Sequence, residues 1–248
     1  MALKWIRKAC VLVILVCLAV AAFDAFLLYQ EEARYDELWK KAYHMPEGAK
    51  RRDGQETGVD LEALRALNPQ CVGYISIPDT PLSYPVMQTA EEGGMFYLNH
   101  AFDRSSHGNG TPFLDIRCDT RKPSANLIVY GHNTRNTKMF SVLRFYMEKD
   151  YFTEHPLVRF DHENGGDYEI FAVLFVSLSG EENRDLFQMV ERDPEDMEPW
   201  QEFLEYLKEN SLYDTGVEVT DEDEILTLST CYRPIENGRV LIFGRKKE

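Results

Sequence analysis

Glu224-Ile225-Leu226-Thr227-Leu228-Ser229-Thr230-Cys231 is followed, after Tyr232 to Glu236 and the pair Asn237-Gly238, by Arg239-Val240-Leu241-Ile242-Phe243-Gly244. Both runs are apolar and rich in β-branched residues, and each is strand-length. An Asn-Gly pair between two such runs favours a hairpin return. The return would bring Arg239 back beside Cys231. Strand alternation puts Ile225, Thr227, Ser229 and Cys231 on one face, with Leu226, Leu228 and Thr230 on the other. The cysteine therefore falls on the more polar face. A lone cysteine at a strand end is by itself more often structural than reactive. A thiol becomes a nucleophile when a nearby cation or histidine helps it ionise, and Arg239 is one such cation. Arg233 stands closer in sequence, but Pro234 after it points to a loop orientation.

The histidine with the strongest context lies about 100 residues upstream of the cysteine. His132 follows the apolar run Leu127-Ile128-Val129-Tyr130, with Gly131 between them. A glycine there lets the backbone turn and project the imidazole over a sheet end. Further strand-like runs are Val72 to Ile77, Ser83 to Met87, Thr111 to Ile116, Ala125 to Tyr130, Val158 to Phe160, Asp167 to Ser177 and Gly216 to Val219. Short strands with irregular connections, about eight in all, predict a mainly β fold closed into a barrel. Met139 to Phe145 reads as a short helix. Pro199 to Glu209 is a clearer one, with Trp200, Phe203, Leu204 and Leu207 on one stripe and Pro199 at the first helical position. Glu31 to Tyr43 places Tyr35, Leu38, Trp39 and Ala42 on a stripe of its own. A short helix carrying Leu61, Leu64 and Leu67 is stopped by Pro69. Residues 46–58 read as a polar linker.

The chain has 248 residues and a formal net charge of −15. That length suits one sizeable domain with appendages. The acidity argues against a nucleic-acid partner, which needs clustered Lys and Arg. Lys4, Arg7 and Lys8 precede an apolar run from Cys10 to Tyr29. Twenty helical residues span about 30 Å, enough for a bilayer core. The basic flank predicts a cytoplasmic N-terminus at 1–9, a membrane-spanning helix at 10–29, a juxtamembrane helix and linker at 30–58, and an extracellular domain at 59–248. A cleaved signal peptide is the rival reading, because Ala19-Val20-Ala21 resembles a cleavage site. The apolar run continues through Phe26, Leu27 and Leu28, which favours an uncleaved anchor. Only Cys71, Cys118 and Cys231 would then lie outside the cell. Three thiols are no disulfide framework, and no histidine or cysteine spacing points to a metal.

Together these motifs resemble the sortases, the cysteine transpeptidases of Gram-positive bacteria. Thr227-Leu228-Ser229-Thr230-Cys231 with Arg239 downstream is similar to the family signature, and Tyr130-Gly131-His132-Asn133 accompanies it. Serine at the middle of the signature resembles class B. So do Ser83-Tyr84-Pro85-Val86-Met87-Gln88, Tyr97-Leu98-Asn99, Phe113-Leu114-Asp115-Ile116-Arg117 and Met139-Phe140, within a resemblance that covers about residues 60–245. The resemblance implies a closed barrel with two N-terminal helices and a helix in the long insert before the cysteine strand. It implies Cys231 as nucleophile, His132 as acid and base, and Arg239 as the cation for the oxyanion or substrate. Leu98, Tyr130 and Ser229 would line the peptide groove, with Arg233 as an extra contact. The implied donor is a secreted protein with a C-terminal sorting signal of the Asn-Pro-x-Thr kind. The implied acceptor is an amine of a peptidoglycan precursor, or a pilin lysine in a polymerising enzyme. No cofactor or metal is implied. A papain-like hydrolase is disfavoured, since its cysteine opens a helix and precedes its histidine. A catalytically silent, membrane-anchored binding module is the remaining alternative.

Overall fold

The structure is a computed structural model and describes residues 2–43, 59–134, 138–179 and 186–247. The chain forms two compact units, 1–60 and 61–248. The first contains helix α1 (Ala2–Tyr43), which runs through the expected anchor and the expected juxtamembrane helix without a break. Within it Lys4–Phe23 has a mean hydropathy of 2.4, and none of that window is buried against protein. A helix apolar on every side is long enough here to cross a bilayer. The side chains of the Tyr35, Leu38, Trp39 and Ala42 stripe lie outside the described residues, as does the linker at 46–58.

The second unit opens with α2 (Leu61–Leu67), which buries Leu64. Asn68 takes over where the helix stops. Its backbone N–H reaches the Leu64 carbonyl at 2.9 Å, and its side-chain amide donates to Tyr97 Oη at 2.9 Å and to the Phe102 carbonyl at 2.6 Å. Eight strands follow: β1 (Cys71–Ser76), β2 (Ser83–Met87), β3 (Phe113–Leu114), β4 (Asn126–Tyr130), β5 (Leu157–Asp161), β6 (Gly166–Ser177), β7 (Ile225–Cys231) and β8 (Gly238–Lys246). They close into a barrel in the order β1-β2-β3-β4-β7-β8-β6-β5. Helix α3 (Lys149–Glu154) follows a 3-10 segment at Phe140–Met147, where the short helix was expected. Helix α4 (Glu198–Glu209) lies in the insert between β6 and β7.

The barrel explains two departures from the sequence reading. Gly216–Val219 forms no strand, and Gly216 takes a left-handed φ of 75°. Closure leaves β6 flanked by β5 and β8, and β7 by β4 and β8, so no edge is free to pair it. Val217 and Val219 pack instead on the core beneath α4. The strand expected at Thr111–Ile116 is limited to Phe113–Leu114. Asp115 ends it, because its carboxylate accepts the Arg117 backbone N–H at 3.0 Å and turns the chain.

Helix α4 packs on the outer side of β6 and on the neighbouring ends of β7 and β8. Trp200, Phe203, Leu204 and Leu207 are all buried, and they pack with Ile225, Leu241, Phe243 and Phe171. The Phe203 and Phe243 rings meet edge to face at 6.2 Å. Ile225, Leu241 and Phe243 thus face outward, which leaves Leu226, Leu228, Val240 and Ile242 to fill the barrel interior. The outward face of β7 is polar, as alternation indicated, yet it is not wet. Thr227 is fully buried and its hydroxyl donates to Asn126 Oδ1 at 2.7 Å; only Cys231 emerges to solvent.

Removal of the indole by Trp200→Ala is expected to cost about 3–5 kcal/mol, the range for truncating a buried aromatic. Urea unfolding monitored by circular dichroism measures it. A loss below about 1 kcal/mol would show that α4 is not an integral layer of the barrel.

Candidate active site

Three neighbouring strands bring the residues together. β4 runs parallel to β7 with Tyr130 opposite Ser229. β7 runs antiparallel to β8 with Ser229 opposite Leu241 and Cys231 opposite Arg239. Directly opposed residues project to the same side, with Cβ atoms about 4.5–5.5 Å apart. Tyr130, Ser229, Cys231 and Arg239 therefore share the outer face just above the area covered by α4. The hairpin return expected from Asn237-Gly238 is present, although the connection also uses residues 232–236. Asn237 takes the left-handed conformation at φ 49°. Gly238 is needed next, because a Cβ there would lie 2.3 Å from the Tyr232 carbonyl oxygen. Hydrogen bonds from Tyr232 N–H to the Gly238 carbonyl, 2.8 Å, and from Gly238 N–H to the Ile235 carbonyl, 2.9 Å, close the loop.

His132 is positioned with equal economy. Gly131 donates its N–H to the Ser229 carbonyl at 3.1 Å and accepts the Thr230 hydroxyl at 2.6 Å. A Cβ on Gly131 would stand 2.6 Å from the Phe140 ring, so the chain can cross that ring only as glycine. The His132 carbonyl then accepts the Phe140 N–H at 3.0 Å. The imidazole Nε2 lies 2.8 Å from the Leu98 carbonyl oxygen. A carbonyl only accepts, so Nε2 carries the proton and Nδ1 is the free nitrogen of the neutral ring. Asn133, next in the chain, donates its side-chain amide to the Cys231 carbonyl at 2.9 Å and ties the two segments together.

An open groove of about 410 Å³ runs up to this point. Leu98, Tyr130, His132, Ser229, Cys231 and Arg239 line the near end, and Met95, Ile116 and Phe187 extend it. Of the sequence-derived candidates, only Arg233 is absent from it. Arg233 is exposed and borders a separate recess with Asn133, Arg144 and Tyr232. Arg239 is half-buried and donates to the Gly238 carbonyl at 3.0 Å; among the described residues no carboxylate pairs with it.

Asp115 of the groove wall and Arg117 behind it had no role assigned from sequence. Tyr130 Oη donates to Asp115 Oδ2 at 2.8 Å. Arg117 grips the same carboxylate through Nε at 2.9 Å and Nη2 at 2.8 Å, and donates to the Phe187 carbonyl at 2.7 Å. Burial opposes ionisation of Asp115, but the Arg117 side chain, its backbone N–H and Tyr130 outweigh it and hold the carboxyl below its ordinary range. Burial, reinforced by the Asp115 carboxylate, drives the Tyr130 phenol well upward, so it stays a neutral donor. The Asp115-x-Arg117 spacing after a strand is the signal that points to this clamp.

The other thiols of the barrel unit are of a different kind. Cys71 and Cys118 are buried, and burial pushes them up to about 11 and about 12 from an ordinary 9.0. Both are held as neutral thiols near pH 7. His162 is also buried, with Nδ1 3.1 Å from the Thr120 carbonyl, and it is not among the groove residues that surround the exposed thiol.

A scan against models of protein families finds no match. Comparison with individual proteins does. The chain is 32% identical over 210 residues to sortase B of Listeria monocytogenes, covering 83% of this chain and 81% of that one. A Staphylococcus aureus sortase B–substrate complex superposes with a TM-score of 0.72 at 27% identity, over 89% of this chain and 97% of that one. A sortase B complexed with triglycine superposes with a TM-score of 0.74 at 27% identity, over 89% and 98% of the two chains. With an exposed thiol, an imidazole and a guanidinium at the end of one groove, and with that similarity along most of its length, the chain belongs to the sortase B family of cysteine transpeptidases.

Proposed function

We propose that Cys231 is the nucleophile, that His132 is the proton carrier, and that Arg239 steadies the oxyanion or the substrate carbonyl. The observation that carries this reading is the direct cross-strand pairing of Cys231 with Arg239 at the end of the groove. A guanidinium with no carboxylate partner among the described residues, opposite a solvent-exposed thiol, supplies fixed N–H donors beside the sulfur. The donor is a secreted protein presenting a C-terminal sorting signal of the Asn-Pro-x-Thr kind. Nδ1 of His132 takes the Cys231 thiol proton as Sγ attacks the Thr carbonyl carbon; the C–N bond then breaks with its electron pair left on nitrogen, and His132 passes that proton to the leaving amine. The thioacyl enzyme that results is resolved by an amine of a peptidoglycan precursor. Support for a peptide donor and an amine acceptor comes from the relatives solved with a substrate and with triglycine.

The domain layout follows the same reading. Residues 1–9 are cytoplasmic, 10–29 anchor the chain in the membrane, 30–58 connect, and 59–248 work outside. The apolar window at Lys4–Phe23 supports the anchor. A tether holds the thiol at the surface where secreted substrates emerge, which raises their effective concentration.

The Nε2–Leu98 contact supports Nδ1 of His132 as the nitrogen that exchanges protons. Leu98 then has two tasks: its side chain lines the groove and its carbonyl orients the ring. Tyr130 and Ser229 complete the wall.

Cys231→Ala is expected to abolish cleavage of a sorting-motif peptide, while His132→Ala and Arg239→Ala each lower kcat/KM by at least about 100-fold, the scale of a lost acid–base or oxyanion group. Arg239→Lys keeps the charge and should recover only part of the loss, because lysine lacks the planar fork. Steady-state peptide cleavage, with thermal melting to verify folding, measures all four. Retained activity in a folded Cys231→Ala variant would sink the assignment.

The burial differences give a second test. Iodoacetamide at neutral pH is expected to label Cys231 in the folded protein and to spare Cys71 and Cys118 until denaturant is added. Peptide mapping reads the labels. Early labelling of Cys118 would contradict the structure.

A further inference from the structure

Transpeptidation needs two substrates at one thiol, and the groove is the place proposed for the donor peptide. On the reading that Cys231 carries the acyl group, the incoming amine requires its own approach. A second recess, of about 350 Å³, begins one residue further along both chain segments. The groove ends at His132 and Cys231; the recess is lined by Asn133 and Thr134 on one side and Tyr232, Arg233 and Pro234 on the other, with Arg144 completing it. The seam between the two cavities is the 2.9 Å hydrogen bond from the Asn133 amide to the Cys231 carbonyl.

The charge of this recess runs against that of the chain. The protein carries −15 overall, yet among the described residues this lining contains two arginines and no carboxylate. Arg65, Arg104, Arg117, Arg121, Arg159 and Arg245 each pair with a carboxylate. Among the described residues Arg144 and Arg233 pair with none; Arg144 stands over the Phe145 ring at 4.9 Å, and Arg233 is exposed. A guanidinium fork matches a carboxylate with two parallel hydrogen bonds.

We propose that this recess is the acceptor site, and that it selects an amine whose molecule also bears a carboxylate. Arg233 and Arg144 hold the carboxylate while the amine faces the thioester at Cys231. The amine nitrogen bonds to the thioester carbon, the C–S bond breaks with its electron pair returning to Cys231 Sγ, and His132 takes the proton the nitrogen sheds. The inference rests on the transpeptidase site described above and adds the chemistry of its second substrate.

The test uses the full-length chain in detergent and a donor peptide it has been shown to cleave. Transfer is measured by mass spectrometry at varied concentrations of triglycine, of triglycinamide, and of Gly-Gly-Asp amide, whose sole carboxylate is on a side chain. Triglycine is expected to have a KM about tenfold below that of triglycinamide, the scale of one charge-assisted pair. The Arg144→Gln, Arg233→Gln double variant should erase that difference by raising the triglycine KM alone, with Arg233→Lys intermediate. A low KM for Gly-Gly-Asp amide that also rises in the double variant assigns the site to a side-chain carboxylate, and a high one to a terminal carboxylate; both support the recess. Equal KM values for the three acceptors in the unmodified chain, or an equal rise for all in the variant, overturn it. Cleavage of the donor without any acceptor is the separate readout of the transpeptidase site itself.

Discussion

The pairing of β7 with β4 on one side and β8 on the other is the constraint on which everything else depends. β7 is held parallel to β4 and antiparallel to β8 within a closed sheet. A slip of one residue in either ladder would turn every side chain to the opposite face. The thiol would then point into the barrel among Leu226 and Leu228, and Arg239 would lose its place opposite. Closure makes such a slip costly, because all the strands share one ladder. The register is further pinned from below by Ile225 and Phe243 against α4, and by the buried Thr227–Asn126 hydrogen bond.

Above that pinned layer the chain changes character. The last pair in the ladder is Cys231 with Arg239, and there burial gives way to solvent. Gly131 and Gly238, beside the site, mark places where backbone passes closer than a side chain permits. One delivers His132 over Phe140 and the other closes the loop before Arg239. The three proposed catalytic groups therefore sit on the rim of the barrel, held by the strand ladders and by side-chain hydrogen bonds to backbone carbonyls. Such positioning is what a site must have if groups are to meet a substrate carbonyl without reorganising.

Much of this was legible from residue order. The β7 and β8 runs, the glycine before His132 and the Trp200, Phe203, Leu204, Leu207 stripe all announce themselves by period and by turn chemistry. They do so because local pattern and tertiary contact agree at those positions. Where they disagree, the reading fails. Gly216–Val219 has strand composition, but a closed barrel offers it no partner. Asp115 lies in a run that reads as strand until its own carboxylate turns the chain. The spacing of Asp115 and Arg117 signals their pairing, but the reach to Tyr130 on β4 and to the Phe187 carbonyl is set by tertiary placement, and no periodicity records that. Arg233, close to the thiol in sequence, is carried away from the groove by the loop that Pro234 shapes. Its neighbour in space, Arg144, is about 90 residues distant by the numbering and invisible to a local reading.

The central claim is that the end of β7 presents one reactive thiol to a peptide lying in the groove. Its most direct test is the covalent intermediate. The chain is incubated with a sorting-motif peptide in the absence of amine, quenched in acid and mapped by mass spectrometry. The account predicts an adduct on Cys231 equal to the peptide fragment ending at the Thr carbonyl, and lost on treatment with hydroxylamine. Cleavage of the peptide with the adduct on another residue, or turnover with no thioester formed at any time, would contradict it.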